Sequence, residues 1–311
     1  MSASGVDRRG RRLNLLLVAV GFLGLLAGIE WFVIGLGKDP LSDVHAYYDA
    51  ADRLNHGAAL YAQTATTNES AFYRYPPLLA LLFRPLALLP FPAAAAIWEV
   101  IVVGSLVGII ALIRPGLRGW SLVGMIALPI VWSVVIGQAQ VPVTLLMVLG
   151  RPWSLALATH LKIFPALAAI WWIGRRDWRS LAMFLAWSAG LAVLQLVLEP
   201  QGSLAFPGVF NLAQIGEVRN WSPYAISPVL WAVLVIGGTI AARRLAPTRW
   251  GWAAAVTVSV LATPRLLLYQ LMTLLAGLRE PSDDRAARDR GAYVGTGPFV
   301  SRPPASTVRE P

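Results

Sequence analysis

The stretch RRLNLLLVAVGFLGLLAGIEWFVIGLG, residues 11–37, decides the class of this chain. Between Leu13 and Leu36 it holds an apolar run of about 24 residues interrupted by a single acid, Glu30. A straight helical crossing of a bilayer needs about 20 residues. A secretory leader has a shorter apolar core and a small-residue cleavage site. This run is too long and shows no such site, so it reads as an uncleaved first membrane helix.

Further apolar segments recur at about 93–113, 120–136, 138–150, 152–174, 180–198, 226–242, 250–262 and 266–278. The chain is 57% apolar, 14% charged and carries 13 tryptophans in 311 residues, more apolar surface than one soluble core buries. The expected fold is an all-α polytopic membrane protein, a bundle of roughly 8–9 transmembrane or half-membrane helices. Several segments are too short to span alone, and Pro142, Pro165 and Pro264 interrupt or divide them. Broken helices are tolerated where they line a water-filled cavity, so a cavity is expected here. Residues 1–280 are expected to form one transmembrane domain. Residues 281–311, rich in Pro, Gly and Arg, are expected to be a disordered cytoplasmic tail.

The net charge is +10, but the basic residues sit in short clusters between apolar runs and not in an aromatic-interleaved patch. That pattern argues for cytoplasmic loops and against nucleic-acid binding. With the N-terminus cytoplasmic, inner loops such as Arg8–Arg12, Arg175–Arg179 and Arg243–Arg249 outweigh the outer ones in basic residues. The assignment treats Lys162–Pro165 as the outer apex between two half-helices. The expected setting is the cell membrane, crossed several times, with loops 37–92 and 199–225 on the outer face. The absence of cysteine excludes disulfides, thiol catalysis and Cys-ligated zinc.

The first outer loop opens with SDVHAYYDAADRLNHGAALY, residues 42–61. Val44, Tyr47, Ala51 and Leu54 fall at helical spacing, and His45/Asp49, Tyr48/Asp52, Asp49/Arg53 and Asp52/His56 are each four apart. The segment reads as a short amphipathic helix on the outer membrane surface, ended by Gly57. Asp43 at its start has two readings. It caps the helix, alone or with Ser42, or it is a carboxylate at the lip of a cavity that takes a proton from a hydroxyl. In YRYPPLLALLFRPLALLP, residues 73–90, Pro76-Pro77 blocks a continuous helix and too few residues follow to span. That piece should be re-entrant or interfacial, with Arg84 at the rim. Lys162 lies inside an apolar run, where a lysine costs roughly 2.5–3.5 kcal/mol and therefore marks a partner or a site.

These two segments, followed by GQAQ at 137–140 and LKIFPALAAIWWIGRRDWR at 161–179, come in the order and spacing of a known family. From about residue 40 to 180 the chain resembles the GT-C glycosyltransferases of family 87, the polyprenyl-phosphate-mannose-dependent alpha-mannosyltransferases. The resemblance implies a GT-C-like bundle that moves a hexose, mannose first, from a polyprenyl-phosphate donor to a glycolipid or surface-glycan acceptor of the cell envelope. It places the site on the outer face. It maps the catalytic aspartate onto Asp43 as general base and the lysine before a proline onto Lys162, which would hold the donor phosphate with Arg265 and Arg74. His45, Tyr48, Asp49, Tyr75, Gln138, Gln140 and Tyr269 are then the expected contacts to sugar and acceptor. Direct attack by the acceptor hydroxyl would invert the anomeric centre. No metal and no cofactor are expected; membrane lipids are the remaining partner. Two other readings are a catalytically degenerate homologue that binds lipid-linked sugar or aids assembly, and a transporter, for which the sequence shows no repeated halves.

The orientation has a direct check, because the natural chain has no cysteine to interfere. A cysteine at Asn68 should react with an impermeant thiol reagent added to intact cells, after permeabilisation of any outer membrane; labelling only in broken cells would reverse the assignment.

Overall fold

The computed structural model describes residues 3–37, 40–63, 72–209 and 220–281. Asp39, Asn68, Glu217 and the expected tail after Pro281 lie outside the described residues. Among the described residues the regular structure is helical throughout, with no strand.

In chain order, α1 (Ala3–Leu36) is followed by α2 (Ser42–Asn55), α3 (Pro77–Phe83) and α4 (Phe91–Ile113). Next come α5 (Leu117–Met125) and α6 (Ala127–Val135), then the hairpin of α7 (Gln140–Leu149) and α8 (Pro152–Leu161). A 3-10 segment, Phe164–Ala169, leads into α9 (Ile170–Gly174). Then α10 (Trp178–Leu198), α11 (Pro200–Val209), α12 (Pro228–Leu245) and α13 (Gly251–Leu261) follow, and a 3-10 run, Leu268–Leu278, closes the bundle.

Four stretches are long and apolar enough to cross a membrane: Arg12–Gly35 within α1, and α4, α10 and α12. A fifth crossing is made if α5 and α6, bent by 58°, count as one broken span. The outward faces of these helices are bare hydrocarbon: Leu16, Phe22 and Val33 on α1, Val100 and Val107 on α4, Val197 on α10 and Val233 on α12 are exposed. Such a surface is stable only when lipid covers it. The short apolar helices are enclosed by the long ones. The expected bundle of full and half helices is therefore present, with fewer full crossings than short segments packed between them.

The predicted break at Lys162 is real. Its backbone is extended (φ −150°, ψ 126°), ending α8. Because Lys162 touches Gln140 at the start of α7, the α7–α8 hairpin places its turn, Gly150–Arg151, at the opposite end. The chain then returns through α9 to Arg175. Arg114, Arg151, Arg175, Arg176, Arg243 and Arg244 thus gather at one end of the helices, and α2, Lys162 and Arg265 at the other.

The amphipathic helix forms where its spacing predicts it, and Gly57 (φ 73°) follows it in left-handed backbone. Asp52 and His56 close their four-residue pair at 3.3 Å. Asp43 is not its cap. Leu41, in left-handed backbone, holds the N-cap position, and no side chain caps the helix. Instead the end of α6 serves the start of α2: Leu41 N donates to Val135 O (2.9 Å) and Asp43 N to Ile136 O (3.2 Å). Two amides at the start of α2 thus meet two carbonyls at the end of α6. Arg84 is also tied down, since its Nε donates to Asn55 Oδ1 (2.9 Å) while Asn55 Nδ2 donates to Arg84 O (3.0 Å). α3, seven residues long, is a rim element and not a span.

Gly137 makes the α6–α2 junction possible. It sits at φ 64°, and a Cβ there would stand 2.1 Å from Val44 Cγ2 and 2.8 Å from Glu99 Oε1. Val44 is fully buried and branched, so it has little room to rotate. Gly137→Ala should lower stability by about 1–3 kcal/mol through combined overpacking and left-handed strain, read as a lower thermal midpoint of the purified protein in detergent. An unchanged midpoint would show that the junction is not tightly packed.

Candidate active site

The first turn of α2 aims Asp43 and, one turn later, Tyr47 at the loop between α6 and α7. Gln138, fully buried in that loop, accepts a hydrogen bond from Tyr47 Oη (2.8 Å) at its Oε1. Tyr75 Oη stands 3.0 Å from the same oxygen and 3.4 Å from Asp43 Oδ1, so its single proton is shared between them. Tyr47 Oη also accepts from Ala139 N (3.1 Å). Trp98 of α4 fixes the loop from behind, donating its indole N–H to Gly137 O (2.7 Å). The Tyr-Pro-Pro turn supplies Tyr75: Pro76 is the N-cap of α3, and Tyr73 Oη is locked by donating to Pro76 O and accepting from Ala80 N.

Two positions on, Gln140 does different work. Its Oε1 accepts from Lys162 Nζ (2.7 Å), and its Nε2 donates to Thr273 Oγ1. The ammonium also lies 5.2 Å from the ring centroids of both Tyr75 and Tyr269. It is therefore clasped between two aromatic faces and one amide oxygen, with no carboxylate in salt-bridge range among the described residues. Cation–π contact and a neutral acceptor hold a charge in place while leaving most of its field for a ligand.

Lys162, Tyr75, Tyr269 and Gln140 line one cavity, which Arg74 and Arg265 also face. Its remaining wall is largely apolar, with Phe164, Phe206 and Val260. Asn220 shapes the Arg265 side: its amide donates to Pro264 O (2.8 Å) and accepts from Leu266 N (2.9 Å). Asn220 is thus spent on backbone. Asp43 does not itself line this cavity; it lies half-buried, 3.4 Å from the Tyr75 hydroxyl. Burial pushes its carboxyl up to about 6, against the pull of the Lys162 and Arg74 cations and of the Tyr75 and Gln138 side chains. Among the described residues no group of three His, Asp or Glu side chains is placed to hold a metal ion.

The structure thus brings together Asp43, Tyr75, Gln138, Gln140, Lys162 and Tyr269, with Arg74 and Arg265 on the same cavity. It does not bring in His45, Tyr48 or Asp49, which occupy the other side of α2. His45 is exposed and stacks on Phe91 (3.7 Å between ring centroids), and Tyr48 Oη donates to Leu89 O (2.8 Å). Asp49 is exposed, beside His45, Arg53 and Asp52. His160 is a packing residue, its ring 2.6 Å from Gln195 Nε2. Sequence reasoning missed Tyr47 as a site residue, although it lies one turn from Asp43. It also missed Thr273, whose role depends on a contact 133 residues away.

Comparison with known proteins finds relatives by sequence. The chain is 29% identical over 229 residues to the polyprenol-phosphate-mannose-dependent alpha-(1-2)-phosphatidylinositol pentamannoside mannosyltransferase of Mycolicibacterium smegmatis, covering 67% of this chain and 56% of that protein. It is 24% identical over 248 residues to the protein of the same name from Mycobacterium tuberculosis, covering 71% and 54%. The chain spans about half the length of these curated relatives. No solved structure matches significantly. The family model described as glycosyltransferase family 87 matches residues 72–276. That segment contains Tyr75, Gln138, Gln140, Lys162 and Tyr269 and begins downstream of Asp43, whereas the resemblance read from the motifs starts near residue 40. A match over about two thirds of the chain places it in glycosyltransferase family 87.

Proposed function

We propose that this protein transfers a mannosyl group from a polyprenyl-phosphate donor to a hydroxyl of a glycolipid, as the names of its relatives describe for those proteins. The observation that carries the proposal is that Tyr75 contacts both a half-buried carboxylate and a cation that faces a partly apolar cavity. The donor phosphate would sit against Lys162, with Arg74 and Arg265 as further cationic donors, and the polyprenyl chain along the Phe164–Phe206 wall. The acceptor hydroxyl would approach on the Asp43 side. As its oxygen bonds to the anomeric carbon, the sugar–phosphate bond breaks, the proton passes to Asp43, and the charge of the departing polyprenyl phosphate falls on Lys162. Attack opposite the leaving phosphate inverts the centre, so an alpha product requires a beta-linked donor. The outer face of the cell membrane is the proposed location of this chemistry.

A second reading has one observation in its favour. The cationic cluster lies inside the matched segment while Asp43 lies outside it, so binding of lipid-linked sugar without transfer is a coherent alternative. Membranes containing the wild type, supplied with radiolabelled polyprenyl-phosphate mannose and total lipid, separate the two. Transfer to lipid, reduced on the order of 10²–10⁴-fold in Asp43→Asn, supports the enzyme. Donor binding with no transfer by the wild type supports the binding protein. Lys162→Met should weaken use of the donor by roughly tenfold or more, because it removes a charged hydrogen-bond donor from the phosphate position.

The pH profile tests the base itself. Asp43 works deprotonated, so transfer should fall as pH drops through about 6. The Tyr75 hydroxyl helps hold that carboxyl down, so Tyr75→Phe should move the acidic limb to higher pH. A limb that stays put in Tyr75→Phe and persists in Asp43→Asn would assign it to another group.

A further inference from the structure

At the arginine-rich end of the bundle, away from Asp43, lies a second cavity lined by Arg176, Arg243, Arg244, Trp178, Ile173 and Ile240. We propose that it binds the phosphate headgroup of an anionic phospholipid of the bilayer.

The chain builds this place deliberately out of two helix ends. α9 ends at Gly174, against which the last turn of α12 packs so closely that a Cβ would meet Arg243 O and Ala246 Cβ at 2.4 Å. The chain then turns sharply: Arg176 adopts left-handed backbone (φ 55°), and Arg176 N and Asp177 N donate to Ile173 O and Trp172 O. A left-handed arginine is costly compared with glycine at the same place. Here it sets Arg176 opposite Arg243 and Arg244 across the groove.

Neighbouring charges are already engaged elsewhere. Arg175 pairs with Glu280 (2.9 Å) and lies over the Trp171 ring (5.0 Å). Asp177 caps α10, accepting from Ser180 N (3.1 Å). Three arginines thus line one cavity, all three at exposed positions, and together they make a cationic place that attracts an anion. Guanidinium is the group best matched to phosphate oxygens.

The rest of the cavity says which phosphate. It lies where α10 begins and α12 ends, and both helices are candidate membrane spans. Leading away from it, Ile236 and Val233 on α12 and Leu185 on α10 are exposed hydrocarbon, and the Trp178 ring at the mouth is 59% exposed. Tryptophan at that level is the usual residue of the headgroup zone. A ligand with a phosphate head and apolar tails satisfies both surfaces, which free phosphate does not. Basic pockets between membrane helices bind anionic headgroups in this manner. The proposal does not depend on the transferase reading.

The test uses the full chain, purified in neutral detergent and stripped of lipid, with its thermal midpoint titrated against phosphatidylglycerol, phosphatidylcholine and inorganic phosphate. Each arginine near an anionic lipid adds roughly fivefold in affinity, so phosphatidylglycerol should be preferred over phosphatidylcholine by on the order of a hundredfold. The triple variant Arg176→Gln, Arg243→Gln, Arg244→Gln should lose that preference, while Arg114→Gln, at the same end but outside the cavity, keeps it within about twofold. Should the triple variant fail to fold, the single variant Arg243→Gln, at an exposed position in the last turn of α12, should lose about fivefold. Preference retained in the cavity variants, or lost equally in Arg114→Gln, would overturn the proposal. So would stabilisation by inorganic phosphate equal to that by the phospholipid.

Discussion

The site depends on a junction between two helix ends. The last carbonyls of α6 accept from the first amides of α2, at 2.9 and 3.2 Å, in a place where both ends would otherwise need water or caps. The electrostatics favour it as well, since a carbonyl end faces an amide end. The placement of Asp43, Tyr47, Gln138 and Gln140 follows from that contact. It fixes the rotation of α2, and so directs Asp43 and Tyr47 to the α6–α7 loop. It also requires the left-handed turn at Gly137, which sends Gln138 into the core and leaves Gln140 at the start of α7.

The second constraint is the cost of charge in such surroundings. A lysine at membrane depth is ordinarily paired or drawn to the interface. Lys162 is instead held by an amide oxygen and two phenol rings. Gln140 is fixed in turn by Thr273, and Thr273 lies near Thr144 of α7, 3.2 Å between hydroxyl oxygens. The cation is thus oriented by neutral groups drawn from three separate segments, which carries the cost of holding it across the fold instead of into one strong pair.

Much of this was legible in the sequence because membrane crossing leaves a coarse signal. The apolar runs, the break at Lys162 and the amphipathic α2 each follow from length, period or a charge in hydrocarbon. The contacts that make the site are a different matter. His45, Tyr48 and Asp49 share a short motif with Asp43, yet at about 100° per residue His45 and Asp49 point well away from it, while Tyr47 returns to nearly the same direction. Period alone could have sorted them, had the helix been read for where Asp43 points and not only for which face is apolar. No such rule reaches Thr273. Its role arises from two distant segments meeting, and a single sequence carries no trace of that meeting. Asp43 itself read equally well as a cap until the α6 carbonyls were seen to occupy the cap's place.

On the proposed mechanism, Tyr75 matters for what it prevents. An aspartate and a lysine so near each other would gain most by forming a direct ion pair. A base so paired is a poor one, and a cation so paired has little attraction left for a phosphate. Tyr75 engages both, its hydroxyl 3.4 Å from the carboxylate and its ring centroid 5.2 Å from the ammonium. Coulomb attraction falls with separation, so the two charges attract each other without forming a direct ion pair. A departing phosphate and an arriving proton would then meet groups whose charges are still available. A serine or leucine at position 75 would take the phenol hydroxyl from the carboxylate and the ring face from the ammonium, and would widen the cavity that Tyr75 lines.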